Sequence, residues 1–309
     1  MKRKICLIIP SYNEEKMIDT LYHEITKVVN DIEGYDFTLL FVDDGSKDQT
    51  LALVKNHAIS DTRVKYVSFS RNFGKEAAML AGLEYAQKLN ADAAIFMDAD
   101  MQDPPVIIKD FLKYYEEGYK YIYTRNRNRK GQGFLKKFFS VSFYKVYRIL
   151  TKEKNVISNA RDFALLDKDV INAFLSYKDT RRYSKGIASQ MGFKNKVIEY
   201  DFNSRIAGET KWSFRKLFKY AMVGIEQFSR IYEIVPNILL ILLFIGLGVQ
   251  IGFAIAYPDI YRWLFVAITG GVFLIVLVLK FIMKVLYDIR DQQLGRPQYL
   301  TEETNVIEK

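Results

Sequence analysis

Residues 93–105 read AAIFMDADMQDPP: a short apolar run, two carboxylates and then a pair of prolines. The apolar run is typical of a buried β-strand, and Asp98 and Asp100 follow it directly. Two carboxylates at the end of a buried strand repel each other unless a positive group lies between them. Their hard oxygen atoms suit Mg²⁺ or Mn²⁺, ions that usually share their coordination with substrate phosphates. An Asp-x-Asp triplet also occurs in ordinary turns, but its position at a strand end favours a metal site.

The first 125 residues alternate between short β-rich runs and longer helical stretches. Strands are predicted at residues 4–9, 37–42, 64–69, 93–97 and 121–124, and helices at residues 14–32, 48–58 and 74–89. This alternation predicts an α/β fold, with a mostly parallel sheet and helices on both faces. Ligands bind beyond the carboxyl ends of the strands in such sheets. Because polar clusters follow the first four strands, we expect one binding site at that rim of the sheet.

Polar residues after the first two predicted strands suit a nucleotide. Residues 10–14 read PSYNE and residues 42–46 read VDDGS. Tyr12 can stack on a base, Glu14 can hold a ribose, and a carboxylate of the second segment can accept hydrogen bonds from a base N–H or a ribose hydroxyl. The chain contains neither the G-x-G-x-x-G pattern of dinucleotide-binding enzymes nor a P-loop, which argues against both classes.

Two stretches near the C-terminus contain no charged residue, residues 234–258 and residues 263–279. A transmembrane helix needs about 20 consecutive apolar residues, so the first stretch is long enough. The second is long enough if Lys280 and Lys284 extend their charged ends to the membrane surface. A buried helical hairpin is the alternative. Lys and Arg flank the pair on its outer sides, so the positive-inside rule predicts a multi-pass protein of the cell membrane with both termini and the main domain cytosolic.

The net charge of +9 is concentrated in one stretch, because residues 120–150 contain nine Lys or Arg and no Asp or Glu. Such a stretch suits nucleic acid, anionic lipid or a phosphorylated substrate, and a merely solvated basic face is the alternative. Next to two membrane spans, the membrane surface and lipid phosphate are favoured over nucleic acid. Residues 134–150 and 212–231 have the amphipathic pattern of interfacial helices, although either could pack on the sheet. The tail after Arg296 is polar and is predicted to be loose.

Five segments, in this order along the chain, resemble glycosyltransferase family 2. They are PSYNE (10–14), VDDGSKDQT (42–50), RNFGKEAA (71–78), MDADMQDPP (97–105) and RIAGETKWS (205–213). The set is most similar to the branch that makes polyprenyl-phosphate sugars, on dolichol phosphate or undecaprenyl phosphate, and the two following spans fit its bacterial members. The resemblance covers residues 4–230 and implies a GT-A-like fold.

The resemblance also implies roles for individual residues. The nucleotide-sugar would be held by Pro10, Tyr12, Glu14, Asp43 or Asp44, Asp98 and Arg125, with Arg127 as an alternative to Arg125. The metal, Mg²⁺ or Mn²⁺, and the diphosphate would be held by Asp98, Asp100 and Gln102. Arg205 and Lys211 would contact phosphates, and Asp162 resembles the catalytic aspartate of the family.

The implied activity is the inverting, metal-dependent transfer of a hexose from a UDP-sugar, with glucose or N-acetylglucosamine, to undecaprenyl phosphate at the cytoplasmic membrane face. The product would be a lipid-linked donor for cell-envelope glycosylation. Expected partners are further copies of the chain in a homo-oligomer, a flippase and a downstream transferase that uses the lipid-linked sugar, and no nucleic acid is expected. The predicted organisation is a glycosyltransferase domain (1–210), a juxtamembrane amphipathic helix (211–233), two transmembrane helices (234–284) and a cytosolic tail (285–309).

Two other functions compete with this one. A processive polysaccharide synthase would carry a Q-x-x-R-W motif, whereas Gln227 and Arg230 are followed here by Ile231. A non-catalytic membrane scaffold would use the nucleotide fold only to recruit partners. The intact acidic set at Asp44, Asp98 and Asp100 argues against a scaffold, because a degenerate enzyme usually loses a metal ligand.

Overall fold

The computed structural model describes residues 2–127, 160–179, 182–200, 260–293, 298–299 and 301–306, together with a few single helical residues between 222 and 249. In chain order its elements are β1 (Arg3–Ser11), α1 (Ile18–Asn30), β2 (Tyr35–Asp43), α2 (Thr50–Ser60), β3 (Val64–Phe69), α3 (Lys75–Lys88), β4 (Ala93–Phe96), α4 (Ile107–Glu116), β5 (Tyr121–Asn126), β6 (Ala160–Asp167), α5 (Lys168–Ser176), α6 (Ser184–Gln190), β7 (Asn195–Tyr200), α7 (Ile260–Gln293) and β8 (Thr301–Thr304).

The eight described strands form one sheet in the order β7-β5-β6-β4-β1-β2-β3-β8. The four consecutive strands β4, β1, β2 and β3 are parallel neighbours, and β5 is parallel to β7. The pairs β4–β6, β5–β6 and β3–β8 are antiparallel. The predicted α/β fold with a mostly parallel sheet is therefore confirmed, as are the five predicted strands and three predicted helices, within a few residues at each end.

Alternate residues of β1 face two hydrophobic cores, one on each side of the sheet. Ile5, Leu7 and Ile9 pack in the core that α1 and α4 cover, whereas Cys6 and Ile8 pack in the core that α3 and α5 cover. Each of these aliphatic side chains is at most 1% exposed, and burying one contributes about 1.5–3 kcal/mol. Burial also raises the pKa of the Cys6 thiol to about 12, so this cysteine is an unreactive core residue.

The predicted membrane segments fall largely outside the described residues. This holds for the basic amphipathic segment 134–150, for nearly all of residues 212–231 and for most of the first predicted span, 234–258. The second predicted span, 263–279, lies within the 34-residue helix α7. Within the described part of the chain, no helix is both long enough and apolar enough to cross a bilayer.

The C-terminal tail differs from the prediction, because its described residues are ordered against the sheet. Strand β8 pairs antiparallel with β3, which places Thr304 opposite Val67. Val306, two residues further on, is only 5% exposed and joins the core beside α3. The prediction of a loose tail is wrong for these residues. Its polar composition is that of an edge strand, which gains stability from backbone pairing and needs few apolar side chains.

Candidate active site

The carboxyl ends of β1, β2 and β3 meet at one rim of the sheet. Ser11 and Asp43 are opposite each other in the parallel register, and Asp43 is opposite Ser68 in the next pair. An open cleft of about 470 Å³ lies there, within the range of roughly 300–1,000 Å³ that is usual for small-molecule sites. Its lining includes Tyr12, Asp43, Ser46, Ser68, Arg71 and Glu302. We call this cleft the nucleoside cleft, after the ligand that the sequence predicts for this rim.

Asp43 is fixed at the floor of the nucleoside cleft. Its side chain is 2% exposed, and the Ser68 hydroxyl donates to its Oδ2 at 2.8 Å. The backbone N–H of Ser46 donates to its Oδ1 at 3.2 Å. These two donors hold the carboxylate in one orientation and leave it acceptor capacity for a ligand hydroxyl or N–H.

The neighbouring Asp44 has a different environment. Its carboxylate accepts hydrogen bonds from the backbone N–H groups of Phe73, at 2.6 Å, and of Gly74, at 2.9 Å, and from the Asn72 amide at 2.9 Å. Asp44 therefore holds the loop between β3 and α3, while Asp43 lines the cleft. Burial, partly offset by the backbone donors, raises the pKa of Asp44 to about 6.

The loop that carries Tyr12 and Glu14 is tied to the segment after β2. The backbone N–H of Asn13 donates to Ser46 Oγ at 2.9 Å, and the N–H of Glu14 donates to Thr50 Oγ1 at 2.8 Å. Asn13 has a left-handed backbone, with φ of 51°, a conformation that asparagine tolerates better than most residues. These contacts place Tyr12 at the cleft, together with Asp43.

A lysine bridges Asp98, a predicted metal ligand, and Asp162, the predicted catalytic aspartate. Lys75 Nζ lies 2.7 Å from Asp98 Oδ1 and 2.5 Å from Asp162 Oδ2. Lys185 adds a second ammonium group, 3.5 Å from Asp162 Oδ1. The structure thus brings together Asp98 at the end of β4 and Asp162 on β6. Lys75 lies at the start of α3, and Lys185 at the start of α6.

The charges in this cluster stabilise one another. Burial alone would lower the pKa of the Lys75 ammonium, but the Asp162 and Asp98 carboxylates outweigh it and raise that pKa above its usual range. Burial alone would raise the pKa of Asp162, but Lys185 and Lys75 outweigh it and hold that pKa well below its usual range. Lys75 and Asp162 are therefore both ionised at neutral pH.

The start of α6 is fixed by a residue of α3. Ser184 Oγ donates to Glu76 Oε2, and the backbone N–H of Ser184 donates to Glu76 Oε1 at 3.3 Å. Lys185 follows Ser184 directly and reaches Asp162 from there. Lys75 and Glu76 are adjacent residues of α3. Lys75 contacts Asp162 itself, and Glu76 contacts the segment that supplies the second lysine, Lys185.

The turn after Asp100 is rigid. Met101 has a left-handed backbone, with φ of 57°, which costs on the order of 1–3 kcal/mol for a residue with a side chain. Asp103, which is 1% exposed, compensates by accepting from Arg161 Nε at 2.7 Å and from the Tyr200 hydroxyl. Arg161 Nη2 also donates to Gln102 Oε1 at 3.3 Å. This network fixes the direction in which the chain leaves the Asp98–Asp100 pair.

The donor set at this turn fits a divalent cation of the Mg²⁺ or Mn²⁺ type. Within the described residues, no group of three or more His, Cys, Asp or Glu side chains could hold a metal ion by itself. Asp98 and Asp100 nevertheless supply two hard carboxylates, and Mg²⁺ is usually bound by one or two carboxylates together with substrate phosphates. Gln102 is less available than the sequence suggests, because its amide oxygen already accepts from Arg161.

The remaining predicted residues lie near the β7 edge of the sheet, on the interior strand β1 or outside the described residues. Arg125 forms an ion pair with Glu199 of the neighbouring β7, and Arg127 Nη2 donates to the Glu199 carbonyl oxygen at 3.2 Å. Arg205 and Lys211 lie outside the described residues. Pro10 lies on β1 beside Val42 of β2, directly before the Tyr12 loop.

Sequence reasoning missed several residues of the cluster. Lys75 stands in the quoted segment RNFGKEAA, directly after Gly74, which has a positive φ, but a lysine at the start of a helix has no distinctive sequence signal. Arg161 directly precedes the predicted site residue Asp162 in the sequence. Lys185 and Glu302 carry no sequence signal for the site, since only the tertiary structure brings them to the rim.

Comparisons with known proteins agree with this architecture. The sequence profile of glycosyl transferase family 2 matches residues 6–175. A Bacillus subtilis strain 168 protein named as a glycosyltransferase, CsbB, is 37% identical over 99% of this chain and 93% of its own length. A prophage bactoprenol glucosyl transferase homolog of Escherichia coli K12 is 35% identical over 73% of this chain and 72% of its own.

Among solved structures, the fold is similar to that of glucosyl-3-phosphoglycerate synthase from Mycobacterium tuberculosis, determined with Mn²⁺, UDP and glucosyl-3-phosphoglycerate. That likeness has a TM-score of 0.50 at 15% identity and covers 71% of this chain and 76% of the other. It supports the GT-A-like sheet architecture. On the matched profile and the full-length relative together, this chain belongs to glycosyl transferase family 2.

Proposed function

We propose that this protein transfers a hexose, glucose or N-acetylglucosamine, from a UDP-sugar to undecaprenyl phosphate at the cytoplasmic face of the cell membrane. The observation that carries the proposal is the cluster of Lys75, Asp98 and Asp162 beside the nucleoside cleft. The cleft suits the nucleoside of the donor, and the Asp98–Asp100 pair suits its diphosphate. The Escherichia coli relative named for bactoprenol glucosyl transfer supports the choice of glucose and of a polyprenyl phosphate.

The donor is held along the rim of the sheet in this proposal. Tyr12, Glu14 and Asp43 take the nucleoside, with Pro10 and Asp44 shaping the loops around it. Asp98 and Asp100, with Gln102, would hold Mg²⁺ or Mn²⁺, and the positive charge of that ion would offset the charge on the departing diphosphate. Arg205, Lys211 and Arg125 are assigned to phosphates of the donor or acceptor, on the resemblance alone.

In the transfer step a phosphate oxygen of the acceptor attacks the anomeric carbon from the face opposite the leaving group. The bond from that carbon to the diphosphate breaks, and its electrons leave with UDP, which inverts the configuration. A phosphate monoester has its second pKa near 6, so it is mostly a dianion at neutral pH and needs no strong base. We therefore assign to Asp162 the positioning of Lys75 and Lys185, whose ammonium groups can then attract the acceptor phosphate.

Membrane attachment is part of the proposal because a polyprenyl chain does not leave the bilayer readily. Each CH₂ group kept out of water is worth about 0.8 kcal/mol. The charge-free stretches 234–258 and 263–279 support two spans with both termini cytosolic. Large apolar side chains of α7 are also more than half exposed, among them Leu264, Ile268 and Phe273. The homo-oligomer, the flippase and the downstream transferase stay predictions.

The test is a transfer assay with the full-length protein in detergent. The protein is incubated with undecaprenyl phosphate, MgCl₂ or MnCl₂, and labelled UDP-glucose, UDP-N-acetylglucosamine or GDP-mannose. We expect a chloroform-soluble labelled product from at least one UDP-sugar, and its loss on adding EDTA. No lipid-linked product from any of the three donors would contradict the proposal.

Variants of the cluster sharpen this assay. Lys75→Ala removes the cation between two carboxylates, and we expect turnover to fall by at least about 100-fold, since loss of one fixed charge at a reacting phosphate costs several kcal/mol. Lys88→Ala at the other end of α3 is the matched control and should retain at least half of the wild-type turnover. Equal activity of the two variants would remove Lys75 from the proposed site.

A further inference from the structure

The C-terminal strand forms one border of the nucleoside cleft. Strand β8 pairs with β3, which places Glu303 opposite Ser68, a residue of the cleft. Glu302, the residue before it, lines the cleft together with Tyr12 and Asp43. The chain therefore returns from the long helix α7 to the catalytic sheet and brings a carboxylate to the donor site.

Contacts on both sides of Glu302 fix the position of this strand. On the C-terminal side, the backbone N–H of Tyr66 donates to Asn305 Oδ1 at 2.7 Å, and Asn305 Nδ2 donates to the Val64 carbonyl at 3.2 Å. On the N-terminal side, the Tyr299 ring stacks on Phe69 with a centroid distance of 4.8 Å. The main chain at Glu302 is thus held by the fold on either side.

The two neighbouring glutamates of β8 have different surroundings. Glu303 forms an ion pair with Lys55 at 2.5 Å and accepts from the Tyr66 hydroxyl at 3.0 Å, so its carboxylate is occupied by these two partners. Glu302 instead belongs to the lining of the cleft, beside Arg71. Glu303 is therefore a matched control for any experiment on Glu302.

The chemistry of the cleft restricts what Glu302 can bind. A carboxylate only accepts hydrogen bonds, and it repels phosphate. Asp98 and Asp100, which suit the diphosphate, are not among the residues that line the cleft in the described structure. We therefore assign the diphosphate to the β4 turn and the nucleoside to the cleft, whose lining combines the carboxylates Asp43 and Glu302 with the cations Lys47 and Arg71.

We propose that Glu302 is a nucleotide-recognition residue that accepts a hydrogen bond from a base N–H or a ribose hydroxyl of the sugar donor. The inference rests on the proposed function and adds to it a donor contact supplied by the C-terminal segment of the chain. Donor binding and docking of β8 are then linked, so each stabilises the other.

The test measures nucleotide binding by full-length protein in detergent with isothermal titration calorimetry, using UDP with MgCl₂. Glu302→Ala should raise the dissociation constant at least about tenfold, the effect of losing one hydrogen bond to a charged group. Glu303→Ala should change it less than about threefold. Glu302→Gln should recover part of the loss, because its amide oxygen still accepts. Uridine, which has no phosphate, should show the same ratio between variant and wild type as UDP does.

The outcomes separate the inference from the proposed function. If wild-type protein binds UDP and Glu302→Ala binds it equally well, the inference is wrong and the proposed function stands. A weakening seen with UDP but absent with uridine also contradicts the inference, because the contact would then be to the diphosphate. If wild-type protein binds neither UDP nor GDP, the proposed function itself fails and the inference fails with it. In the transfer assay, Glu302→Ala should raise KM for the donor and leave kcat within about twofold.

Discussion

Lys75 and Asp44 lie near the same rim. The surroundings of Lys75 favour its charged form, whereas those of Asp44 favour its neutral form. Two carboxylates raise the pKa of Lys75, which keeps it positively charged. Burial raises the pKa of Asp44 to about 6, which favours its neutral form although three N–H groups donate to it. At the scale of single residues, the cluster around Lys75 therefore concentrates charge, while Asp44 orders a loop.

The raised pKa of Asp44 predicts how stability changes with pH. The pKa is about 6 in the folded protein and about 3.9 in an unfolded chain. Between these values the folded protein binds more protons, so the free energy of unfolding falls as pH rises from about 4 to about 6. Asp44→Asn removes this titration, and its stability relative to wild type should improve over that window by at most about 3 kcal/mol.

Thermal melting at pH 4.5, 5.5 and 6.5 measures this difference. Asp36→Asn, at an exposed position of β2, the strand that Asp44 follows, is the control substitution. Parallel curves for wild type and Asp44→Asn would show that Asp44 does not titrate with a raised pKa.

The loops after β2 and β3 approach each other closely at Gly45. Gly45 has a left-handed backbone, with φ of +65°, and a Cβ atom there would lie 2.4 Å from the Arg71 carbonyl carbon. Because the atoms it would meet belong to the backbone, the loop after β3 must move to accommodate any side chain. Both loops border the nucleoside cleft, so their spacing sets its width.

Gly45→Ala should therefore weaken UDP binding at least about tenfold and lower the melting temperature, since forced overpacking costs about 1–3 kcal/mol beyond the left-handed strain. Gly34→Ala is the matched control. Gly34 has φ of +85°, but a Cβ atom there would meet nothing within 4 Å. Gly34→Ala should lower the stability only by the strain of the left-handed backbone, about 1–2 kcal/mol, and should leave the UDP affinity unchanged. Equal loss of affinity in both variants would contradict the close-approach explanation.

At the scale of the whole molecule, the sheet is not built from one continuous segment of the chain. The sequence predicts a domain that ends at residue 210, yet β8, Asn305 and Val306 complete the sheet and the core beside α3. Without these residues, the backbone N–H of Tyr66 loses its partner and the apolar surface that Val306 covers is exposed. A fragment that ends at residue 210 therefore lacks part of its own fold.

We expect a fragment of residues 1–210 to be less stable than the same fragment with residues 297–309 attached through a Gly/Ser linker. The difference should be roughly 2–4 kcal/mol, from one buried aliphatic side chain and the restored hydrogen bonds. Urea unfolding followed by intrinsic fluorescence measures it. The linked fragment carrying Asn305→Ala and Val306→Ala is the control and should lose most of the gain. Equal midpoints for the fragment with and without the tail would show that β8 contributes no stability.

The amino-acid sequence by itself determines the strands and helices of this protein. It also indicates that the candidate site residues follow the carboxyl ends of the strands. The strands around residues 4–9 and 93–97 follow from short-range apolar patterns, and parallel order places the polar residues after them, Tyr12 and Asp98 among them, at one rim. These inferences hold because each depends on residues that are close in the chain.

Only the tertiary structure decides which side chains meet at that rim. Lys75 bridges Asp98 and Asp162, which are 23 and 87 positions away along the chain. Likewise, Glu302 reaches a cleft whose floor, Asp43, lies on the second strand. Such contacts between distant residues depend on how helices α3 and α6 pack on the sheet and on which edge of the sheet the C-terminal strand joins. The physical reason is that helix packing and edge-strand pairing depend on the free energy of the whole fold, which a local sequence pattern does not determine.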